Sequence, residues 1–333
     1  MRFFQKLIIS ATLLLAVQAK AFTPESGFWI NPNIPGTGYA IEIQDNFMFV
    51  ALYVYDSDGN PIWYTAGTTL GGNSFFDTNL DYTYNGTCID CSVTQPITLI
   101  GERGPITIEF LTETTATIQF QGSVQNIQRF NFLLGNETTR MLGEWQTVID
   151  FSSTGVDFPF NGDILLFDIT TNSDNVDYAE GCRPDNSNDG FCSNFALDNH
   201  DLAAIYDYQE NELLAVVSDD ADFWLAYYVD LGLNQFDGFA ETYPKDGSHN
   251  NIFYPVRGFR TASRSFIETG VGPAKLAKSD GKKVAGIATR MKIDTNKHKP
   301  LSSFSKKEQA KILRRHTIVQ TLINRLQQKK KTK

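Results

Sequence analysis

The stretch from Ser26 to Thr69 constrains this chain most, because its apolar residues recur with the period of strands and its breaks fall on turn residues. Tyr39, Ile41 and Ile43 alternate with Ala40, Glu42 and Gln44, which predicts a half-buried strand. Asp45-Asn46 predicts a turn, and Phe47 to Tyr55 is apolar at nearly every position, as expected of a strand covered on both faces. Asp56-Ser57-Asp58-Gly59-Asn60-Pro61 then reverses the chain into Ile62-Trp63-Tyr64, with Gly supplying a positive φ and Pro fixing the exit. These features predict a β-meander.

The same pattern continues downstream. Phe75 to Tyr84, Ile97 to Ile100, Ile106 to Phe120 and Gln125 to Leu134 read as strands, with Gly101 to Pro105 as a turn. Leu142-Gly143-Glu144-Trp145 opens a second β region that includes Asp163 to Ile169, Asp201 to Tyr208, Glu212 to Ser218 and Phe223 to Leu231. A Gly-x-Trp opening and a later Trp followed by Tyr echo the first region, which leaves a duplicated β unit open. The expectation is an all-β fold of two consecutive antiparallel domains, sandwich or open barrel, over residues 22–140 and 141–259. A flexible basic linker over 260–304 and a basic amphipathic helix over 305–330 follow.

Several of these residues also carry a resemblance. Gly27-x-Trp29-x-Asn31-Pro32, Gly36-x-Gly38 and Tyr55-Asp56-x-Asp58-Gly59-x-Pro61-x-Trp63-Tyr64 form one set. With Gly86-x-Cys88-x-x-Cys91, Ile127-Gln128-Arg129-Phe130 and Leu142-Gly143-Glu144-Trp145, the set resembles an uncharacterised β module of exported Gram-negative proteins. The likeness spans roughly the first half of the mature chain. It implies export and an all-β fold, and it implies no activity.

Met1 to Ala21 reads as a signal peptide. Arg2 and Lys6 precede the apolar run Leu7 to Val17, and Ala19-Lys20-Ala21 offers a small-x-small cleavage site. The run is shorter than the ~20 residues a spanning helix needs. The protein is expected to be exported, periplasmic or secreted, with no transmembrane segment in the mature chain.

In an oxidising compartment the four cysteines would pair locally, Cys88 with Cys91 and Cys182 with Cys192. A zinc site of four thiolates is the rival, disfavoured by unequal spacings and the lack of flanking His. Cys88-Ile89-Asp90-Cys91 stands between strand-like segments, not at a helix start where a reactive thiol would be activated, so it reads as a structural clip. Between the other two cysteines, Asp185, Ser187 and Asp189 followed by Gly190 match the start of a calcium loop. Ala196 stands where the bidentate Glu is needed, so calcium is at most a weak ligand there, and a polar surface loop is the plain alternative. No other cofactor is expected. Asp56-Ser57-Asp58-Gly59 matches less well, because hairpin turns favour the same residues.

The charge is split along the chain. Residues 22–257 hold six Lys and Arg against 34 Asp and Glu, about −28, whereas residues 258–333 hold 20 against four, about +16. In the tail, Ser305 and Glu308 form a capping box ahead of a helical pattern. Ile312, Val319, Ile323 and Leu326 share a face with His316, flanked by Lys311, Arg314, Arg315 and Arg325, and Lys329 to Lys331 close the helix. Such a tail has two targets, an anionic envelope lipid or polysaccharide, slightly favoured, and the protein's own acidic face. Export makes nucleic acid an unexpected partner.

No HExxH is present, and His200 and His249, the two histidines of the β regions, lack a nucleophile context. Gly36-Thr37-Gly38 lacks the strand–helix frame of a phosphate loop and reads as a turn. No catalytic residue is assigned. Trp29, Trp63, Trp145, Trp224 and many Tyr and Phe either fill cores or, where exposed, stack on sugar rings. The function expected is an exported non-enzymatic binding or structural module. The alternative is an envelope hydrolase acting through paired carboxylates. A flat sheet bearing an exposed Trp favours the first, and a deep cleft with two facing carboxylates the second.

Overall fold

A computed structural model describes residues 22–72, 74–132, 134–183, 201–219, 222–264, 287, 291, 293 and 297–331 of the 333. Residues 1–21, expected to be a signal peptide, lie outside the described residues.

The first unit is a sheet of eight antiparallel strands, nearly closed into a barrel. Its strands are β1 (Gly27–Ile30), β2 (Gly38–Gln44), β3 (Phe47–Tyr55), β4 (Pro61–Thr69), β5 (Phe75–Asn79), β8 (Pro105–Phe110), β9 (Thr115–Phe120) and β10 (Ser123–Arg129). The order β4-β3-β2-β1-β10-β9-β8-β5 is that of an up-and-down meander with one excursion between β5 and β8. That excursion is a separate ribbon of β6 (Tyr82–Tyr84) and β7 (Ile97–Leu99). The expected single strand Phe75 to Tyr84 is therefore two, because the chain leaves the barrel at Leu80-Asp81. Alternation sends Trp29, Tyr39, Ile41, Met48, Val50, Leu52, Phe76, Ile108 and Ile118 into one core.

A short turn of helix, α1 (Glu137–Arg140), capped by the Asn136 side chain, leads into the second unit. This is a closed barrel of eight antiparallel strands. They are β11 (Gly143–Asp150), β12 (Phe160–Ser173), β13 (Val176–Cys182), β14 (Leu202–Asp207), β15 (Glu212–Ser218), β16 (Phe223–Leu231), β17 (Gln235–Pro244) and β18 (Tyr254–Ser263). Trp145, Phe151, Phe167, Leu225, Tyr227 and Phe236 fill its interior. β13, β17 and β18 were not legible beforehand, since Glu180, Gly181, Glu241 and Pro255 interrupt any apolar pattern.

The two units open in the same way. Trp29 and Trp145 pair in register with Arg129 and Arg260 of their last strands. Each indole N–H donates to the carbonyl four residues earlier, Glu25 at 3.1 Å and Met141 at 2.8 Å. Arg129 donates to the carbonyls of Ser26, Phe28 and Phe130, and Arg260 to those of Arg140, Leu142 and Leu233. Gly27 and Gly143 have φ of +133° and +131°, and a Cβ at either would run into the guanidinium. The Gly-x-Trp echo thus marks equivalent places, whereas the Trp–Tyr echo does not. Trp63 lies exposed on the fourth strand of its barrel, and Trp224 lies buried on the sixth strand of the other.

Helix α2 (Lys306–Lys331) lies across the outside of the second barrel, on β14 and β15. Its start carries the expected capping box, with the Ser305 N–H donating to Glu308 Oε2 and the Glu308 N–H to Ser305 Oγ. Val319, Leu322, Ile323 and Leu326 pack into a cluster with Ala203, Leu214, Val216, Trp224, Ala226, Tyr228 and Tyr243. β15 is therefore buried on both faces.

Two expectations need correction. Phe47 to Tyr55 is not covered on both sides. Phe47, Phe49, Tyr53 and Tyr55 face outward and stay about half exposed, because among the described residues no element packs on that side of β3. Nor is 260–304 a free linker throughout. β18 runs past Phe259 to Ser263 because Arg260 and Ala262 still pair with β11. Ile287 and Met291 join the barrel core, and the backbone of Lys299 bonds to Asn250 and to the Asn251 side chain.

Burial of the α2 stripe should dominate its hold. Leu322→Ala is expected to cost about 2–5 kcal/mol in urea unfolding of the second barrel. The outward Leu313→Ala, at a side chain 53% exposed, should change it by less than about 0.5 kcal/mol.

Candidate functional site

The outer face of the first barrel carries a row of aromatic rings. Tyr53 on β3 sits directly opposite Trp63 on β4, and each side chain is 47% exposed. Phe28 of β1 lies over Gly38 of β2, where an added Cβ would come within 2.2 Å of the ring. That glycine lets the Phe28 ring lie down toward Tyr53, at 6.3 Å between centroids. On its other side Phe28 meets the edge of Phe130 at 6.3 Å, and Phe130 meets the edge of Phe132 at 4.5 Å. Phe132, Phe130, Phe28, Tyr53 and Trp63 therefore run across the strands in a line, with Phe49 and Tyr55 exposed beside it. Natural soluble surfaces seldom expose so continuous an apolar feature without a use for it.

The ribbon of β6 and β7 extends from the same unit. Its turn is clipped by the Cys88–Cys91 disulfide, with Cα atoms 5.1 Å apart, and Thr87 and Thr94 hydrogen-bond across it. No helix begins at Cys88, which agrees with a clip and not a redox pair. Ile89 and Val93 stand exposed at its end.

The second barrel holds a buried polar cluster at one end of its interior. Arg183 donates to Asp163 Oδ2 at 2.8 Å and to Asp219 Oδ1 at 3.0 Å. Tyr227 donates its hydroxyl to Asp163 Oδ2 at 2.7 Å, and the Ile287 N–H donates to Asp219 Oδ1 at 2.9 Å. Burial, followed by the Asp163 carboxylate, pushes the Tyr227 phenol well above its usual range. Burial works against the Arg183 charge, yet Asp163, Tyr227 and Asp219 together hold its affinity for the proton above the ordinary value. Asp163 and Asp219 are paired carboxylates only in the sense that they share one guanidinium. Both carboxylates are thus engaged by one cation inside the barrel.

Other predicted residues stand as follows. Cys182 is buried, and no cysteine among the described residues is free. Asp185, Ser187, Asp189 and Cys192 lie outside the described residues. Among those described, no three His, Cys, Asp or Glu side chains are grouped to hold a metal ion. The Asp56 oxygens accept the N–H groups of Asp58 and Asn60 and the Asn60 side chain, so that loop is a hairpin turn. Gly36 has φ +84°, and Thr37 closes the turn on the Ile34 carbonyl.

The tail has an intramolecular target. Arg314 pairs with Asp207, Arg315 with Glu212 at 2.9 Å, and Lys311 with Glu210 and Glu212. Arg325 and Lys329 both reach Glu180 at 2.6 Å. Burial raises the Glu180 carboxyl, but Lys329 and Arg325 outweigh it and hold the group below its usual range. Ile312, Val319, Ile323 and Leu326, the residues that would enter a lipid boundary, are buried against the barrel. No helix among the described residues is long and apolar enough to cross a membrane.

The two barrels are joined through Glu25. Its Oε1 accepts the N–H groups of Leu233, Asn234 and Gln235 at 2.8, 2.7 and 3.1 Å, in the turn between β16 and β17. Nothing in sequence spacing signals that contact, which spans more than two hundred residues.

Comparison with protein-family models found no match, and neither did comparisons with curated proteins and with solved structures.

The lumen cluster gives a direct test. Arg183→Met leaves two buried carboxylates without their cation and should cost about 3–5 kcal/mol in denaturant unfolding. Adding Asp163→Asn should recover part of that loss. A neutral effect of Arg183→Met would show that the cluster does not brace the barrel.

Proposed function

We propose that the protein is an exported, non-enzymatic binding module whose ligand surface is the outer aromatic row of the first barrel. The observation that carries this reading is the line of Phe132, Phe130, Phe28, Tyr53 and Trp63 across one outer face, with Phe132, Tyr53 and Trp63 exposed, Phe28 and Phe130 part-buried between them, and Gly38 opening the place for Phe28. Aromatic faces bind the apolar faces of sugar rings and leave the hydroxyls free to bond polar neighbours. A line of rings suits an extended chain better than a compact solute. The unit that bears the row is acidic, with twelve Asp and Glu against three Arg over residues 22–140, which repels anionic polymers and favours a neutral polysaccharide. Export rests on the charged start, apolar core and small-x-small site of residues 1–21.

The helix α2 acts here as a structural part of the second barrel. Lys311, Arg314, Arg315, Arg325 and Lys329 engage carboxylates of the same chain, so the anionic surface that the tail docks to is the protein's own.

Affinity electrophoresis or calorimetry against neutral envelope polysaccharides tests the reading. Trp63→Ala combined with Tyr53→Ala is expected to weaken binding at least tenfold, about 1.4 kcal/mol, with the melting temperature nearly unchanged because both side chains are exposed. Equal binding by the native chain and the double variant would remove the aromatic row as the ligand surface.

A further inference from the structure

The seat of α2 contains titratable groups that neither the aromatic row nor the lumen cluster uses. Glu241 of β17 is fully buried. Its carboxyl accepts the Tyr228 hydroxyl at 2.7 Å and the Asn251 N–H at 3.2 Å. His316 enters from the helix with Nε2 3.9 Å from Glu241 Oε2, and that nitrogen has no hydrogen-bond partner. The His316 ring stacks on His249, which follows β17, with centroids 3.9 Å apart and planes 15° apart.

The surroundings decide which group can be charged. On the helix, Arg315 neighbours His316, is engaged by Glu212 of β15 and lies over the Tyr228 ring of β16. From β17, Tyr243 meets both imidazoles edge-on, and its hydroxyl bonds His249 Nε2 at 3.3 Å. Tyr254 of β18 lies within the field of Glu241. Two stacked imidazolium rings beside a guanidinium would repel one another, and a buried carboxylate lacks a cation of its own here. Burial, then His249 and Arg315, pushes His316 down to about 4, and burial lowers His249 as well. Burial pushes Glu241 up to about 7 against the bonds from Tyr228 and Asn251 and the charge of Arg315.

We propose that α2 is a proton-exchange clasp, in which a proton rests on the Glu241 carboxyl while the helix is docked and is replaced by one on His316 when the helix lifts. Lifting wets both groups. Between the ordinary values of about 4.5 for Glu241 and 6.5 for His316, the freed carboxyl loses one proton and the freed imidazole gains one. No net proton passes to or from solvent on account of this pair. The sign for each member alone is opposite. His316, lowered when docked, weakens docking as pH falls below 6.5, whereas Glu241, raised when docked, weakens it as pH rises above 4.5. Together they level the hold across mild acid. His249 is lowered by burial as well, so it adds a loss of hold on acidification, and the variant profiles are read against that of the native chain. Below that window the clasp opens, because Glu180 and Asp207, held low by Lys329, Arg325 and Arg314, lose their charge.

Native-state hydrogen exchange of the α2 amides from Val319 to Leu326 in the full chain, corrected for intrinsic exchange, reads the docking equilibrium. Relative to the native chain, Glu241→Gln should make docking fall tenfold per pH unit on acidification from 6.5 to 4.5. His316→Phe, which keeps a ring on His249, should make docking rise tenfold per pH unit over the same range. Parallel pH profiles for all three chains would overturn the clasp. If either variant fails to fold, the native chain alone decides. An infrared band of a protonated carboxyl at pH 6 and a His316 ring that does not titrate near 6.5 support it, and a His316 ring titrating near 6.5 ends it.

Discussion

Both barrels depend on an arginine that reaches from the last strand to the backbone of the first. A barrel has to join its ends, and the chain entering each first strand brings its carbonyls up against the last strand. Arg129 donates to Ser26 and Phe28 there and to its own neighbour Phe130, and Arg260 donates to Arg140 and Leu142 there and to Leu233 of the β16–β17 turn. A guanidinium suits this role because its donors form a planar fork that stays charged. The glycine ahead of each tryptophan is the counterpart of that fork, since a side chain there would occupy its place. Where the lock recurs, the tryptophan recurs below it, buried and bonded to the carbonyl four residues back. What the two barrels share is thus a closing device, and strand lengths and insertions differ around it.

The second constraint is electrostatic. Taken separately, an acidic body and a basic tail suggest an outside partner. In the folded chain α2 places Arg314, Arg315, Arg325 and Lys329 on Asp207, Glu212 and Glu180, all buried at the seat. Those carboxylates sit on strands and under a helix, so each would be an unpaired buried charge without its cation. The ion pairs therefore select where the helix lies, while the Val319 to Leu326 stripe supplies most of its adhesion.

Much of the architecture was legible beforehand, because turns and alternation are local. The meander from Tyr39 to Thr69, the strands Glu212–Ser218 and Phe223–Leu231, the capping box at Ser305 and the Cys88–Cys91 clip all follow from neighbouring residues. The site was less legible. Glu180 and Glu241 look like solvated strand acids until α2 covers them, and the row from Phe132 to Trp63 joins residues from separate strands. Trp63 was singled out by type, but only the register with Tyr53 and the bare outer face make it part of a surface.

Two strands show where the sequence stops deciding. Phe47–Tyr55 and Glu212–Ser218 are both continuous apolar runs, and alone each predicts a strand buried on both faces. Local periodicity determined that both are strands and which residues share a face. Whether the second face is covered depends on an element far along the chain. Helix α2 lies over β15, where its cations find Glu212 and its apolar stripe finds Leu214 and Val216. Among the described residues no element covers the outer side of β3, and its aromatics stay about half exposed. Burial of a face is a long-range fact, because it depends on which distant surface complements it in shape and charge, and only the tertiary structure decides that.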